Sequence, residues 1–202
     1  SVWVNRTERN NIFTFAGLNI INLKSGEYFV RGDISSQFIS GLMMSLPLLD
    51  GESVIDITGK SESASYLALT LKALADFGVR ISKIDENTMY IKGGQTFKNR
   101  DVTVEGDYSN AAFFDAFNLL GGNVAVKGLD KTSVQGDRVY KKIFPMLQKG
   151  CPKVDISDCP DLAPVLMAVA AALNGIVLTG TKRLKIKESD RSRAMAEELA
   201  KF

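Results

Sequence analysis

The feature that most constrains this chain is that it repeats itself. The segment Val30-Arg31-Gly32-Asp33-Ile34-Ser35-Ser36 is followed by an apolar helical pattern, Gly51 and the strand-like run Ser53-Val54-Ile55-Asp56-Ile57. Val104-Glu105-Gly106-Asp107-Tyr108-Ser109-Asn110 is followed in the same way by an apolar pattern, Gly121-Gly122 and Val124-Ala125-Val126. A looser third copy runs from Val154-Asp155-Ile156-Ser157 through an apolar stretch over 161–173 to Gly175 and Ile176-Val177-Leu178-Thr179. A unit repeated in this way cannot bury its apolar face alone, so copies must stack against one another.

Period identifies the helices. Phe38, Ile39, Leu42, Met43, Leu46 and Leu49 predict one wide apolar face, with Ser35 or Ser36 as N-cap and Pro47 disturbing the last turn. Phe113, Phe114, Phe117 and Leu120 predict the core face of the matching helix in the second copy. The stretch over 161–173 is apolar nearly all round, which predicts burial on more than one side. Second helices are expected over 63–77, 137–149 and 189–201, the middle one facing inward through Val139, Ile143, Phe144 and Leu147. Gly78 and Gly150 stand where a left-handed, helix-ending residue belongs. With Thr88-Met89-Tyr90-Ile91 as a further strand, the complete unit reads β-α-β-α-β-β, an α+β fold with helices over one sheet face. The polar stretch over 92–100 is the expected boundary between residues 1–98 and 99–202. The first twenty-odd residues fit no unit, and Trp3, Phe13 and Phe15 suggest strands with partners elsewhere.

Composition narrows the function. Twenty-five basic against 23 acidic residues is too even a balance for a nucleic-acid groove. No apolar run approaches the ~18 residues that a membrane helix needs. The chain has no histidine, and the spacing of Cys151 and Cys159 fits neither a zinc nor a redox motif. Two free thiols in a reducing cytoplasm, and no metal, are expected.

The strand-to-helix junctions carry the unusual chemistry: Ser35-Ser36-Gln37, Ser109-Asn110, and the segment from Asp158 to Asp161. Helix N-termini present unpaired N–H groups and the positive end of a dipole, so these are seats for phosphate or carboxylate. Plain capping accounts for Ser109 and Asn110, whereas two hydroxyls and an amide at 35–37 exceed what a cap requires. Asp161 follows Pro160 at the head of the apolar helix, as a capping or first-turn carboxylate or as a base; the dipole favours its ionised form. Lys187-Glu188-Ser189-Asp190-Arg191 reads as a solvated salt-bridge run or as a working site. In the second case Arg191 would fork onto a carboxylate or phosphate, Glu188 would carry a proton and Ser189 would cap the helix.

Leu184-Lys185-Ile186-Lys187-Glu188-Ser189-Asp190-Arg191 with Ala194-Met195 closely resembles a motif of the 5-enolpyruvylshikimate-3-phosphate synthase family. Gly32-Asp33-Ile34-Ser35-Ser36-Gln37-Phe38, Gly106-Asp107-Tyr108-Ser109, Gln135-Gly136-Asp137 and Pro160-Asp161 resemble others, in the family's order. The resemblance implies two lobes, each an inside-out barrel of three β-α-β-α-β-β units about a pseudo-threefold axis. Here it implies about one unit of one lobe and about two of the other. It implies transfer of the enolpyruvyl group of phosphoenolpyruvate to the 5-hydroxyl of shikimate 3-phosphate, with release of phosphate and without a metal or organic cofactor. By position, Ser35, Ser36, Gln37, Ser63, Tyr66, Arg183 and Lys187 should hold shikimate 3-phosphate, and Gln37 and Arg191 phosphoenolpyruvate. Asp161 should take the hydroxyl proton while contacting the same substrate, and Glu188 should act at the methylene carbon.

Other parts of the family pattern have no counterpart, among them a catalytic lysine and a histidine-arginine pair. An internal fragment, inactive by itself and prone to self-association, is therefore expected from a cytoplasmic enzyme that is otherwise monomeric. Its partners should be small molecules, with no nucleic acid and no membrane. The sister transferase acting on UDP-N-acetylglucosamine, and a non-catalytic repeat domain that binds a phosphorylated metabolite, are the alternative readings. The Lys-Glu-Ser-Asp-Arg and Ser-Ser-Gln sequences favour the shikimate enzyme. RNA 3'-phosphate cyclases share related units, but the chain lacks their expected basic strip with interleaved aromatics.

Overall fold

The computed structural model describes residues 23–59, 64–187 and 189–202. The expectations that fall on Trp3, Phe13, Phe15, Ser63 and Glu188 lie outside the described residues. The chain divides into two compact units, Ser1–Val102 and Thr103–Phe202.

In the first unit, strand β1 (Glu27–Arg31) leads to helix α1 (Ser36–Ser45), and β2 (Glu52–Thr58) to α2 (Ala64–Asp76). The short strand β3 (Ser82–Lys83) and β4 (Thr88–Lys92) complete it. The sheet order is β1-β2-β4-β3, with β1 and β2 parallel and the other pairs antiparallel. Alternation along the strands turns one face inward, so Tyr28, Ile55 and Met89 lie in one cross-strand row beneath Ile39, Leu42, Met43, Leu67 and Leu74 of the helices. Each such side chain, fully buried, contributes about 1.5–3 kcal/mol. A hydrogen bond of 3.0 Å between the Ser40 and Thr70 hydroxyls ties α1 to α2. Pro47 does break the helix, which continues as a 3-10 turn over Leu46–Leu48. The segment after β4 stays with this unit: Gly93 and Gly94 donate to the carbonyls of Gly51 and Leu49, and Lys98 to that of Phe77.

The second unit is helical for most of its length. It holds α3 (Tyr108–Leu119), α4 (Tyr140–Lys149), α5 (Ala163–Ala172) and α6 (Arg191–Leu199). Two strands, β5 (Lys153–Asp155) and β6 (Val177–Thr179), pair in parallel. Tyr140, Leu147, Ile156, Leu162, Leu166 and Leu184 form its core.

Several expectations are overturned here. Val124-Ala125-Val126 forms no strand; the neighbouring segments meet through the Gly106 N–H to Gly128 carbonyl bond, and Val104 remains 87% exposed. A strand without a partner along its length has no ladder to hold it. Helix α3 buries Tyr108, Ala111, Ala112 and Ala116, while Phe113, Phe114, Phe117 and Leu120 are exposed. Both faces of α3 are apolar, and close approach to the facing helices selects the small residues. Helix α5 likewise leaves Ala168, Ala171 and Ala172 exposed. Gly78 has the left-handed φ of +84°, but Gly150 is extended at φ 166°, because the chain runs straight on toward β5.

Candidate active site

Both units place polar residues by one rule: a parallel strand pair delivers two helix starts to the same sheet edge. In the first unit, α1 begins after β1 and α2 after β2, so Ser35–Gln37 and Tyr66 stand at one end of the layer. Ser35 is the N-cap of α1, its Oγ accepting the Gln37 N–H at 3.3 Å. Its O–H can still donate to an anion. Ser36 is buried, Gln37 is exposed and Tyr66 is half-buried. The Ser40–Thr70 bond, with Thr70 also donating to the Tyr66 carbonyl at 3.0 Å, fixes the spacing of the two helix starts.

In the second unit, β5 leads into the 3-10 turn Pro160–Leu162 that carries Asp161, and β6 into the 3-10 turn Lys182–Lys185 and then Lys187 and Arg191. The three groups meet. Arg191 Nη1 donates to Asp161 Oδ1 at 2.6 Å, and Lys187 Nζ lies 3.5 Å from the same oxygen. The two cationic side chains are 20% exposed and Asp161 35%, so the cluster is shielded yet open to a solute. Both cations thus converge on one oxygen of the Asp161 carboxylate.

Asp161 and Arg191, but not Lys187, line an open cleft of about 460 Å³. Beyond Asp161 and Arg191 it is lined by Ser109 and Phe113 of α3, Pro164 of α5, Ser189, and Ala194 and Met195 of α6. Asp190, not Ser189, caps α6, accepting the Arg193 N–H at 3.1 Å; a carboxylate answers the helix dipole more fully than a hydroxyl. Asp107, not Ser109 or Asn110, caps α3, which leaves the Ser109 side chain to the cleft. Arg183 is buried to 2% exposure and is not among the residues lining the cleft.

Sequence reasoning gave Ser109 to capping, Phe113 to the core and Pro164 and Met195 no role in a site, yet all four line the cleft. The available signal was helical spacing, since Ser109 and Phe113 lie one turn apart on α3. Among the described residues, no group of three or more His, Cys, Asp or Glu side chains is arranged to hold a metal ion.

The sequence profile of the family described as EPSP synthase (3-phosphoshikimate 1-carboxyvinyltransferase) matches residues 7–202. This chain belongs to the EPSP synthase family. Curated 3-phosphoshikimate 1-carboxyvinyltransferases of Clostridium kluyveri and Clostridium acetobutylicum are each 42% identical to it, over 197 and 195 residues. The alignments take in 89% of this chain and 46% of each relative, so the chain spans about half the length of the EPSP synthases it matches. The solved EPSP synthase of Acinetobacter baumannii shares the fold, with a TM-score of 0.63 at 20% identity over 87% of this chain and 45% of that one.

Proposed function

We propose that this chain carries part of the machinery that moves the enolpyruvyl group from phosphoenolpyruvate to the 5-hydroxyl of shikimate 3-phosphate. The observation that carries the reading is the convergence of Arg191 and Lys187 on Asp161, with Asp161 and Arg191 lining an open cleft. One carboxylate base beside two anion-binding cations is what this reaction needs at its centre.

Arg191 grips phosphoenolpyruvate, and Lys187 holds shikimate 3-phosphate beside Asp161. Glu188 delivers a proton to the methylene carbon, and positive character develops at its neighbour. The 5-hydroxyl oxygen attacks that carbon as Asp161 removes its proton. The tetrahedral adduct then loses phosphate by cleavage of its carbon–oxygen bond, and loss of a methyl proton restores the alkene. Ser35, Ser36, Gln37, Ser63 and Tyr66 serve the phosphosugar-like substrate from the first unit, with Gln37 also near phosphoenolpyruvate. Arg183 is assigned to shikimate 3-phosphate by position, and at 2% exposure it would serve that substrate only from a buried place outside the cleft lining. Phosphate and carboxylate charges held in a water-poor site gain from each fixed cation.

The lobe reading goes with this function. The order β1-α1-β2-α2-β3-β4 in the first unit supports its assignment as one complete repeat of the shikimate-phosphate lobe. The second unit is then about two repeats of the other lobe. The chain by itself lacks several of the anion-binding cations and turns over slowly or not at all.

Phosphate release from the two substrates tests the reading, measured with this chain and with a full-length polypeptide that contains it. Release by the long form alone is the expected result. No release by either form would overturn the assignment.

A further inference from the structure

The second unit contains a larger cavity, of about 820 Å³, away from the Asp161 cluster. Its lining combines apolar Val126, Leu129 and Val139, beside the buried Tyr108, with the cations Lys131, Arg138, Lys141 and Lys142. Among the described residues, no acidic side chain lines it. Lys141 is shared with Asp115 at 3.4 Å and sits 5.5 Å from the Tyr140 ring. Among the described residues, no carboxylate lies within ion-pair distance of Lys131, Arg138 or Lys142.

The wall is built rather than loose. The Gly106 N–H donates to the Gly128 carbonyl at 2.9 Å, and the Tyr108 hydroxyl donates to the Asp130 carbonyl at 2.9 Å. Gln135 clips the loop at both ends of its amide, accepting the Tyr108 N–H at 2.8 Å and donating to the Gly106 carbonyl at 3.0 Å. The Arg138 guanidinium donates to the Ser133 carbonyl and lies 5.9 Å over the Tyr108 ring. The one acid at the loop's turn, Asp130, has its carboxylate occupied by the Thr132 N–H and hydroxyl.

We infer that this cavity is a second binding site, for an organic anion with an apolar body. Cations gathered in one concavity repel each other and concentrate anions from solution. A cavity of this size lies in the ~300–1,000 Å³ range of small-molecule sites. Val126, Leu129 and Val139 reward an apolar body, and the cations reward a phosphate or carboxylate. The inference does not depend on the reaction proposed for the Asp161 cluster.

Phenyl phosphate is the probe, followed by amide NMR on the intact chain, with inorganic phosphate and benzyl alcohol as single-feature controls. The expected result is shifts confined to residues 106–142, with phenyl phosphate binding at least tenfold more tightly than either control. The K131Q/K142Q double variant removes two cations that hold no ion-pair partner among the described residues, so the fold is retained and affinity falls at least tenfold. R191Q, which alters the other site, leaves this binding unchanged. Shifts centred on Asp161 and Arg191, equal affinity for inorganic phosphate, or undiminished binding by the folded K131Q/K142Q variant would each overturn the inference.

Discussion

Arg191 Nη1 stands 2.6 Å from Asp161 Oδ1 across thirty residues of sequence, and Lys187 Nζ approaches that same oxygen at 3.5 Å. Both cationic side chains are therefore engaged by the protein's own carboxylate, and under the proposed function a substrate anion would have to compete for them. Lys187 stays beside Asp161 when Arg191 is replaced, so the carboxylate keeps a cationic partner and the loss of stability should be small, about 1 kcal/mol. R191Q should shift the urea midpoint only slightly while weakening phosphoenolpyruvate binding by tenfold or more. A large loss of stability with unchanged binding would make the pair structural.

Two glycines should behave in opposite ways. A Cβ on Gly93 would lie 2.1 Å from the backbone oxygens of Gly51 and Leu49, which cannot yield. Gly93→Ala should cost about 3 kcal/mol, the upper range of overpacking, in chemical unfolding. A Cβ on Gly122 meets the Phe117 ring at 2.1 Å, but that side chain is 58% exposed and can swing aside. Gly122→Ala should cost about 1 kcal/mol or less.

The choice of buried face on α3 is testable in the same way. Phe114→Gln alters a half-exposed residue and should change unfolding free energy by about 0.5 kcal/mol or less. Ala112→Leu overfills a site with 0% exposure and should cost about 1–3 kcal/mol. The reverse ranking would restore the phenylalanines to the core.

The two thiols should separate by reactivity. Cys151 is exposed, whereas burial first, and then the carboxylates of Asp137, Asp158, Asp155 and Asp161, push the Cys159 thiol up to about 12. Alkylation at pH 8 should label Cys151 alone in the native protein and both in denaturant. A thiol raised from its ordinary 9.0 lends stability that is complete below about pH 9 and is lost as pH rises toward 12. Tyr140 is raised too, by burial and then by its 2.6 Å bond to Asp115, so it acts in the same direction. Cys159→Ala should therefore flatten part of the alkaline fall in Tm, leaving the Tyr140 share.

Much of this arrangement was legible in the residues. Alternation in β2 and β4, and the three- and four-residue steps of α1, decide which side chains face inward before any partner is known. Ser35 as a cap and Asp161 at a helix start follow from local backbone chemistry. What sequence could not supply were choices made by packing. Phe113, Phe114 and Phe117 outweigh Ala111, Ala112 and Ala116 in hydrophobicity, but the alanines allow the helices to approach. The segment over 124–126 has the composition of a strand but pairs with no other strand among the described residues. The meeting of Asp161 with Arg191 depends on the parallel register of β5 and β6, a long-range fact that no local pattern states.

The central claim is that Asp161, flanked by Lys187 and Arg191, removes the hydroxyl proton during enolpyruvyl transfer. Phosphate release from shikimate 3-phosphate and phosphoenolpyruvate by the full-length polypeptide carrying Asp161→Asn tests it most directly. The substitution keeps shape and removes the base, so kcat should fall by about a thousandfold or more, within the range of a lost general base, while KM changes far less. A kcat within a few-fold of the unaltered protein would contradict the account.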